Sequence, residues 1–327
     1  MLCLHRLALP DRTVIFTQPR FSVMLVPDPW SHLRPTTPAR IALGRAGGSL
    51  PTAQWLDFAK DHALARDAVH ASFDTAQLTA ELRPLLETAA TPSTPAATAG
   101  DSLPSDPATR VAAGLRADAQ ILHLATRATN RRDYLLRPDW GRQLDAASAQ
   151  QLVGVPSGYD LALIVSDGLS AFAAHRQIVP LLTHLLPLLR ETGWKLAPLL
   201  IVPFARVAVQ DDIGERLRAR AALILLGERP GLLSPDSLGA YLVWGPRRGR
   251  TDADRNCVSN IRPEGLPHAI AARTLARLLN EARRGEFSGV LLKDEGDPAV
   301  LDSPSPALTT TPPVPPTEPG HSPSTRS

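Results

Sequence analysis

The chain has 327 residues, enough for about two domains at ~150 residues each, and its 43% apolar and 20% charged composition supports a sizeable buried core. A net charge of +3 is too near neutral to predict a nucleic-acid partner, and the Ala, Pro and Arg excess reads as the usage of a GC-rich genome. Two cysteines, Cys3 and Cys257, cannot build a disulfide framework or a zinc site. The longest apolar stretch, 177–189, is broken by Pro180, His184 and Pro187, so no membrane span is expected. Pro10 and Asp11 cut the N-terminal apolar run below a signal-peptide core, which points to a reducing cytoplasm.

Residues 1–36 carry Pro10, Pro19, Pro27, Pro29 and Pro35 with no sustained period and read as an irregular arm, in which Met24 is an alternative start. Residues 37–150 read as a smaller, mainly helical N-terminal domain. Within it, 51–73 predicts a helix with Trp55, Ala59, His62, Arg66, Val69 and Phe73 on one stripe, and 78–87 a second helix kinked or split at Pro84. The Pro/Ala/Ser/Thr stretch at 90–110 predicts a disordered insertion.

From 151 to 293 the rhythm changes to alternating strands and helices. Strands are expected at 160–166, 196–202, 221–226, 241–244 and 290–292. Helices are expected at 170–190, kinked or split at Pro180 and Pro187, and at 213–220 and 271–282. Continuous rather than alternating apolar strands predict a sheet covered on both faces. The fold class is α/β, with a Rossmann-like C-terminal domain after the helical N-terminal one. Residues 294–327 read as a disordered Pro/Ser/Thr-rich tail.

Ligands of open α/β sheets sit beyond the carboxyl ends of the strands. Three segments fall there: Asp167-Gly-Leu-Ser-Ala171, Gly227-Glu-Arg-Pro-Gly-Leu232, and a long loop at 251–260. Gly168-Leu169-Ser170 imitates a nucleophile elbow, and a self-contained serine hydrolase using Ser170 is the alternative reading. Phe172 stands where the elbow needs a small residue, however, only His268 offers itself as a base, and a helix N-cap explains Ser170 more simply. No G-x-G-x-x-G motif accompanies the strand-to-helix turns, so no nicotinamide cofactor is implied. Arg247, Arg248 and Arg250 lack interleaved aromatics and suit a solvated loop, and Cys257 has no flanking metal ligand. Specific loops without a self-sufficient catalytic set suggest a chain that completes another chain's site.

The strings Thr37-Pro-Ala-Arg-Ile-Ala-Leu-Gly-Arg-Ala-Gly47, Arg66-Asp-Ala-Val69, Tyr134-Leu-Leu-Arg-Pro-Asp-Trp-Gly-Arg142 and Asp167-Gly-Leu-Ser-Ala171 stand in one order with Gly227-Glu-Arg-Pro-Gly-Leu232, Ser234-Pro-Asp-Ser-Leu-Gly239 and Arg255-Asn-Cys-Val-Ser-Asn-Ile261. In these the sequence closely resembles the small (light) subunit family of ethanolamine ammonia-lyase, over about residues 37–293. The resemblance implies an adenosylcobalamin-dependent lyase that converts ethanolamine to acetaldehyde and ammonia by a radical mechanism. It implies a hetero-oligomer in which ethanolamine lies in the barrel of the large subunit and the small subunit covers part of the corrinoid. No catalytic residue and no metal ligand is then expected in this chain, because the cofactor carries the hard chemistry.

Carried over position by position, the family's corrinoid contacts fall on Val207, Glu228 and Cys257. An apolar residue, an amide-accepting carboxylate and a small thiol suit a macrocycle fringed by amides. Two departures stand out. Phe204-Ala205 occupy the place of the family's usual Gln-Gly before Arg206-Val207, and five prolines in the first 35 residues oppose the amphipathic N-terminal helix by which some members enter a bacterial microcompartment. None of the histidines sits in the Asp-x-His-x-x-Gly motif that supplies a protein ligand to cobalt, so the cofactor is expected base-on.

Overall fold

The computed structural model describes residues 25–26, 28–37, 39–90 and 121–293. Most of the expected arm, the insertion at 90–110 beyond its first residue, and the tail at 294–327 lie outside the described residues. In chain order the elements are β1 (Leu25–Val26), β2 (Arg45–Ala46), α1 (Thr52–His70), α2 (Thr75–Ala90), β3 (Ile121–His123), α3 (Arg131–Leu136) and α4 (Ala146–Val153). They continue with β4 (Leu161–Ser166), α5 (Ala171–Glu191), β5 (Leu199–Ile201), α6 (Val209–Leu217), β6 (Ala221–Gly227), β7 (Leu238–Trp244), β8 (Arg255–Ile261) and α7 (His268–Gly285). Short 3-10 turns cover Ser31–Thr36, Trp140–Arg142, Asp252–Asp254 and Gly289–Leu291. Among the described residues no helix is long and apolar enough to cross a membrane.

The fold is mixed α/β. Six strands form one sheet in the order β3-β5-β4-β6-β7-β8, the first four parallel and the last two antiparallel. Successive side chains of β4 enter opposite cores, as the period of two in a strand requires. Leu161, Leu163 and Val165 join α2, α5 and α7 on one face. Ala162 and Ile164 join α4 and α6 on the other. Every residue of β4 and β6 is buried, which is why both read as unbroken apolar runs. The helices that follow β4 and β5 thus lie on opposite faces, leaving a crevice beyond the carboxyl ends of these neighbouring strands.

Several expectations need correction or narrowing. Of the kink or split expected at Pro84, Pro180 and Pro187, the split does not occur: α2 and α5 run through them. A helix-interior proline costs ~3 kcal/mol. Leu181, Leu182, Leu185, Leu186 and Leu189 on α5 are all buried, and at ~1.5–3 kcal/mol per leucine their burial outweighs both prolines. The stripe on α1 does not face a core: the helix buries only Ala68, and Trp55 and Val69 are exposed. Instead α2 docks onto α5 and places Leu78 and Leu82 in the main core. The segment 251–260 is not a long loop but a 3-10 turn followed by strand β8. The fifth expected strand, 290–292, falls on a 3-10 turn, whose Val290 and Leu291 point to solvent while Asn256 Nδ2 donates to the carbonyls of Gly289 and Leu292.

Candidate functional site

The loops at the carboxyl edge of the sheet are held by a tight meeting of β4 and β6. Gly168 has φ +52°, and a Cβ there would stand 2.6 Å from the Gly227 carbonyl. A Cβ on Gly227 would stand 2.0 Å from the Ser170 carbonyl. Only glycine allows this approach, which is sealed by the Leu169 N–H donating to the Gly227 carbonyl at 2.8 Å. Arg131 of α3 clamps the same turn, donating from Nη1 to the Gly168 carbonyl (2.9 Å) and from Nη2 to the Leu169 carbonyl (2.7 Å).

The end of β4 also fixes the loop that carries Val207. Asp167 Oδ1 accepts from the Phe204 N–H at 2.7 Å, and Ser166 Oγ accepts from the Ala205 N–H at 3.1 Å. Asp167 and Ser166 are buried, and burial pushes the Asp167 carboxyl above the usual carboxylate range. Phe204 is left-handed, φ +55°, and its carbonyl accepts from Thr126 Oγ1. Val207 follows at the entry to α6, half-buried at the margin of the α4/α6 core.

Glu228 leaves the end of β6 directly after the glycine contact. Its backbone N–H donates to the Ser237 carbonyl at 2.9 Å, closing the connection to β7. Its Oε2 accepts from Ser237 Oγ and, at 3.4 Å, from the Asn260 N–H of β8. No donor among the described residues reaches Oε1, which leaves that oxygen free to accept from a ligand amide. Gly239 makes room for this arrangement, since a Cβ there would stand 2.8 Å from Oε1 and 3.1 Å from Tyr241 Cε2.

Tyr241 on β7 is paired in register with Cys257 on β8. Burial raises both the phenol and the thiol above their ordinary pKa values, and the nearby Glu228 carboxylate raises both further. Both groups are therefore neutral near pH 7. Cys257 is exposed although its thiol is partly desolvated. The structure thus brings Glu228 and Cys257 together through Tyr241. Val207 stands on the same face of the sheet as Tyr241, both packed on the margin of one core. Sequence reasoning missed Tyr241, Gly239, Ser237 and Asn260. The tyrosine was visible only as the start of an expected strand, and pairing register could have singled it out.

Behind these residues a buried ion pair ties α6 to β8. Asp211 accepts from Arg255 Nη2, both side chains are almost wholly buried, and Asp211 Oδ1 has no partner. Burial with one oxygen uncompensated raises the Asp211 carboxyl to about 6, against the pull of Arg255.

The serine-hydrolase alternative fails on geometry. Ser170 is 1% exposed, and its Oγ accepts from the Ala173 N–H at 3.1 Å as the N-cap of α5. His268 is engaged elsewhere, its Nε2 donating to Gln177 Oε1 at 2.7 Å. Among the described residues no group of three His, Cys, Asp or Glu could hold a metal ion.

The family model described as ethanolamine ammonia-lyase light chain (EutC) matches residues 27–101 and 93–293 of this sequence. The chain belongs to that family. The ethanolamine ammonia-lyase small subunit of Ralstonia nicotianae is 49% identical over 280 residues, covering 84% of this chain and 92% of the relative. The small subunit of Xanthomonas campestris pv. campestris is 48% identical over 278 residues, covering 84% and 90%. That of Pseudomonas aeruginosa is 48% identical over 283 residues, covering 85% and 92%.

Proposed function

We propose that this chain is the small subunit of a cytoplasmic, adenosylcobalamin-dependent ethanolamine ammonia-lyase, binding the corrinoid at its interface with the large subunit. In this reading 151–293 is a Rossmann-like corrinoid-contacting domain, 37–150 the smaller N-terminal domain, and Val207, Glu228 and Cys257 are the contacts. The observation that carries it is Oε1 of Glu228, which no donor among the described residues reaches. That oxygen belongs to a group in which the neighbouring thiol and phenol are neutral, and Val207 lies on the same face. Such a set fits an apolar ring with amide side chains: a carboxylate accepts N–H groups, and an aliphatic residue packs.

When bound, adenosylcobalamin would supply the radical chemistry of the reaction, and Val207, Glu228 and Cys257 would hold its corrinoid. The work of this chain is placement. Ser237 and the Asn260 N–H hold Oε2 of Glu228 so that Oε1 is directed to accept. Asp167 and Ser166 hold the loop carrying Val207 from behind. In this reading no side chain of this chain is assigned a proton transfer or a bond to cobalt.

The test is reconstitution. The purified chain alone turns over no ethanolamine and gains activity with the large subunit and adenosylcobalamin, and turnover by the single chain would overturn the reading. Losing one hydrogen bond costs ~0.5–1.5 kcal/mol, so Glu228→Gln weakens corrinoid affinity roughly tenfold or less, at ~1.4 kcal/mol per decade. Electron paramagnetic resonance of the cob(II)alamin form decides the base-on assignment. Nitrogen hyperfine splitting that changes when protein histidine is isotopically labelled would refute it.

A further inference from the structure

Tyr241 is the side chain that joins the proposed contacts, and neither the sequence strings nor the relatives' names assign it a role. It is half-buried on the β7 strand, on the face where Val207 also packs. Its cross-strand partner is the exposed Cys257, and its ring edge borders the space kept open at Gly239, into which Glu228 extends. A tyrosine in that position offers a flat apolar ring to a planar ligand and a hydroxyl at its rim. We propose that Tyr241 is a fourth corrinoid contact, its ring packing on the ligand between Glu228 and Cys257. The proposal rests on the corrinoid reading of this face.

The chemistry is consistent on two counts. The ring is already placed before any ligand arrives, because the β7–β8 register sets it opposite Cys257 and its Cε2 borders Gly239. Rigid aromatic anchors lose little conformational freedom on binding, which favours a contact of this kind over a long flexible side chain. No bond is made or broken at Tyr241, and its part is contact and positioning alone.

The experiment uses the enzyme reconstituted from both subunits, without ethanolamine, and adenosylcobalamin as the probe. Affinity is read from the corrinoid absorbance change for the unsubstituted enzyme, Tyr241→Phe and Tyr241→Ala. The alkylation rate of Cys257 by iodoacetamide is followed on its own peptide by mass spectrometry. Tyr241→Ala is expected to weaken binding by roughly tenfold or more and Tyr241→Phe by about threefold. Should Tyr241→Ala fail to assemble, Tyr241→Phe decides through affinity. If corrinoid leaves Cys257 alkylation unchanged in the unsubstituted enzyme, the corrinoid reading itself is overturned. If corrinoid protects Cys257 but both variants bind within about twofold of the parent, only the role of Tyr241 is overturned.

Discussion

Replacing Gly227 by alanine tests whether the carboxyl edge of the sheet is as tightly closed as its geometry requires. The new Cβ would lie 2.0 Å from the Ser170 carbonyl oxygen and 2.6 Å from that of Asp167, both backbone atoms that no rotamer change can move. Ordinary contact begins at 3.4 Å, so β6 and the β4–α5 turn must part by more than an ångström. Overpacking a closed site costs ~1–3 kcal/mol, and a clash against backbone on two sides belongs at the top of that range. For a fold of 150–250 residues each kcal/mol lowers Tm by ~2–4 °C, giving a fall of roughly 6–12 °C. Gly154 is the matched control. It stands at φ −80° after α4 with its nearest atom 3.8 Å away, so Gly154→Ala is neutral or stabilising by ~0.4–1 kcal/mol. Thermal unfolding followed by circular dichroism compares the two. A Gly227→Ala protein melting within about 2 °C of the parent would refute the reasoning, because no local relaxation absorbs such a clash for so little.

Ser170→Ala removes the N-cap of α5 and should cost ~1 kcal/mol by denaturant unfolding, while leaving hydrolysis of a generic ester at background, since a buried cap is no nucleophile. Asp211 gives a pH signature. Its folded-state pKa, about 6, lies above the ordinary 3.8, so the native state binds the extra proton between them. The stability this proton contributes is fully present below 3.8 and is lost as pH rises through about 6, a swing of roughly 3 kcal/mol at ~1.4 kcal/mol per pH unit. Asp211→Asn should be less stable at pH 7, because buried Arg255 keeps only the exposed Asp252 as an ion-pair partner, and should lack that swing. Equal slopes of stability against pH for the two proteins between about 4 and 6 would contradict the assignment.

The interior of the sheet was legible because parallel strands covered on both faces must be apolar at every position. β4 and β6 satisfy that rule residue by residue, and α5 was found from Ser170 and its leucines despite two prolines. The edges were not. β3 is three residues long, too short for any periodic signal. The stripe on α1 was a real period read in the wrong direction, since periodicity locates a face without saying what it meets.

The strand β8 explains why the site itself was only half visible. Its burial alternates imperfectly, with Arg255, Val258 and Ile261 buried and Cys257, Ser259 and Asn260 exposed, and it has a neighbour on one side only. A strand of Asn, Cys and Ser lacks the apolar run that marks interior strands, so it read as a loop. Yet that same composition gives β8 its use. The exposed sulfur of Cys257 and the N–H of Asn260 that steadies Glu228 are polar groups set on a rigid ladder rather than on a mobile connection. Residues 228, 241 and 257 meet only because β6, β7 and β8 pair in a fixed register, and register is a long-range property that local pattern does not encode. A binding edge made from strands thus hides from periodicity for a physical reason: the side chains that suit a ligand are those that spoil the strand signal.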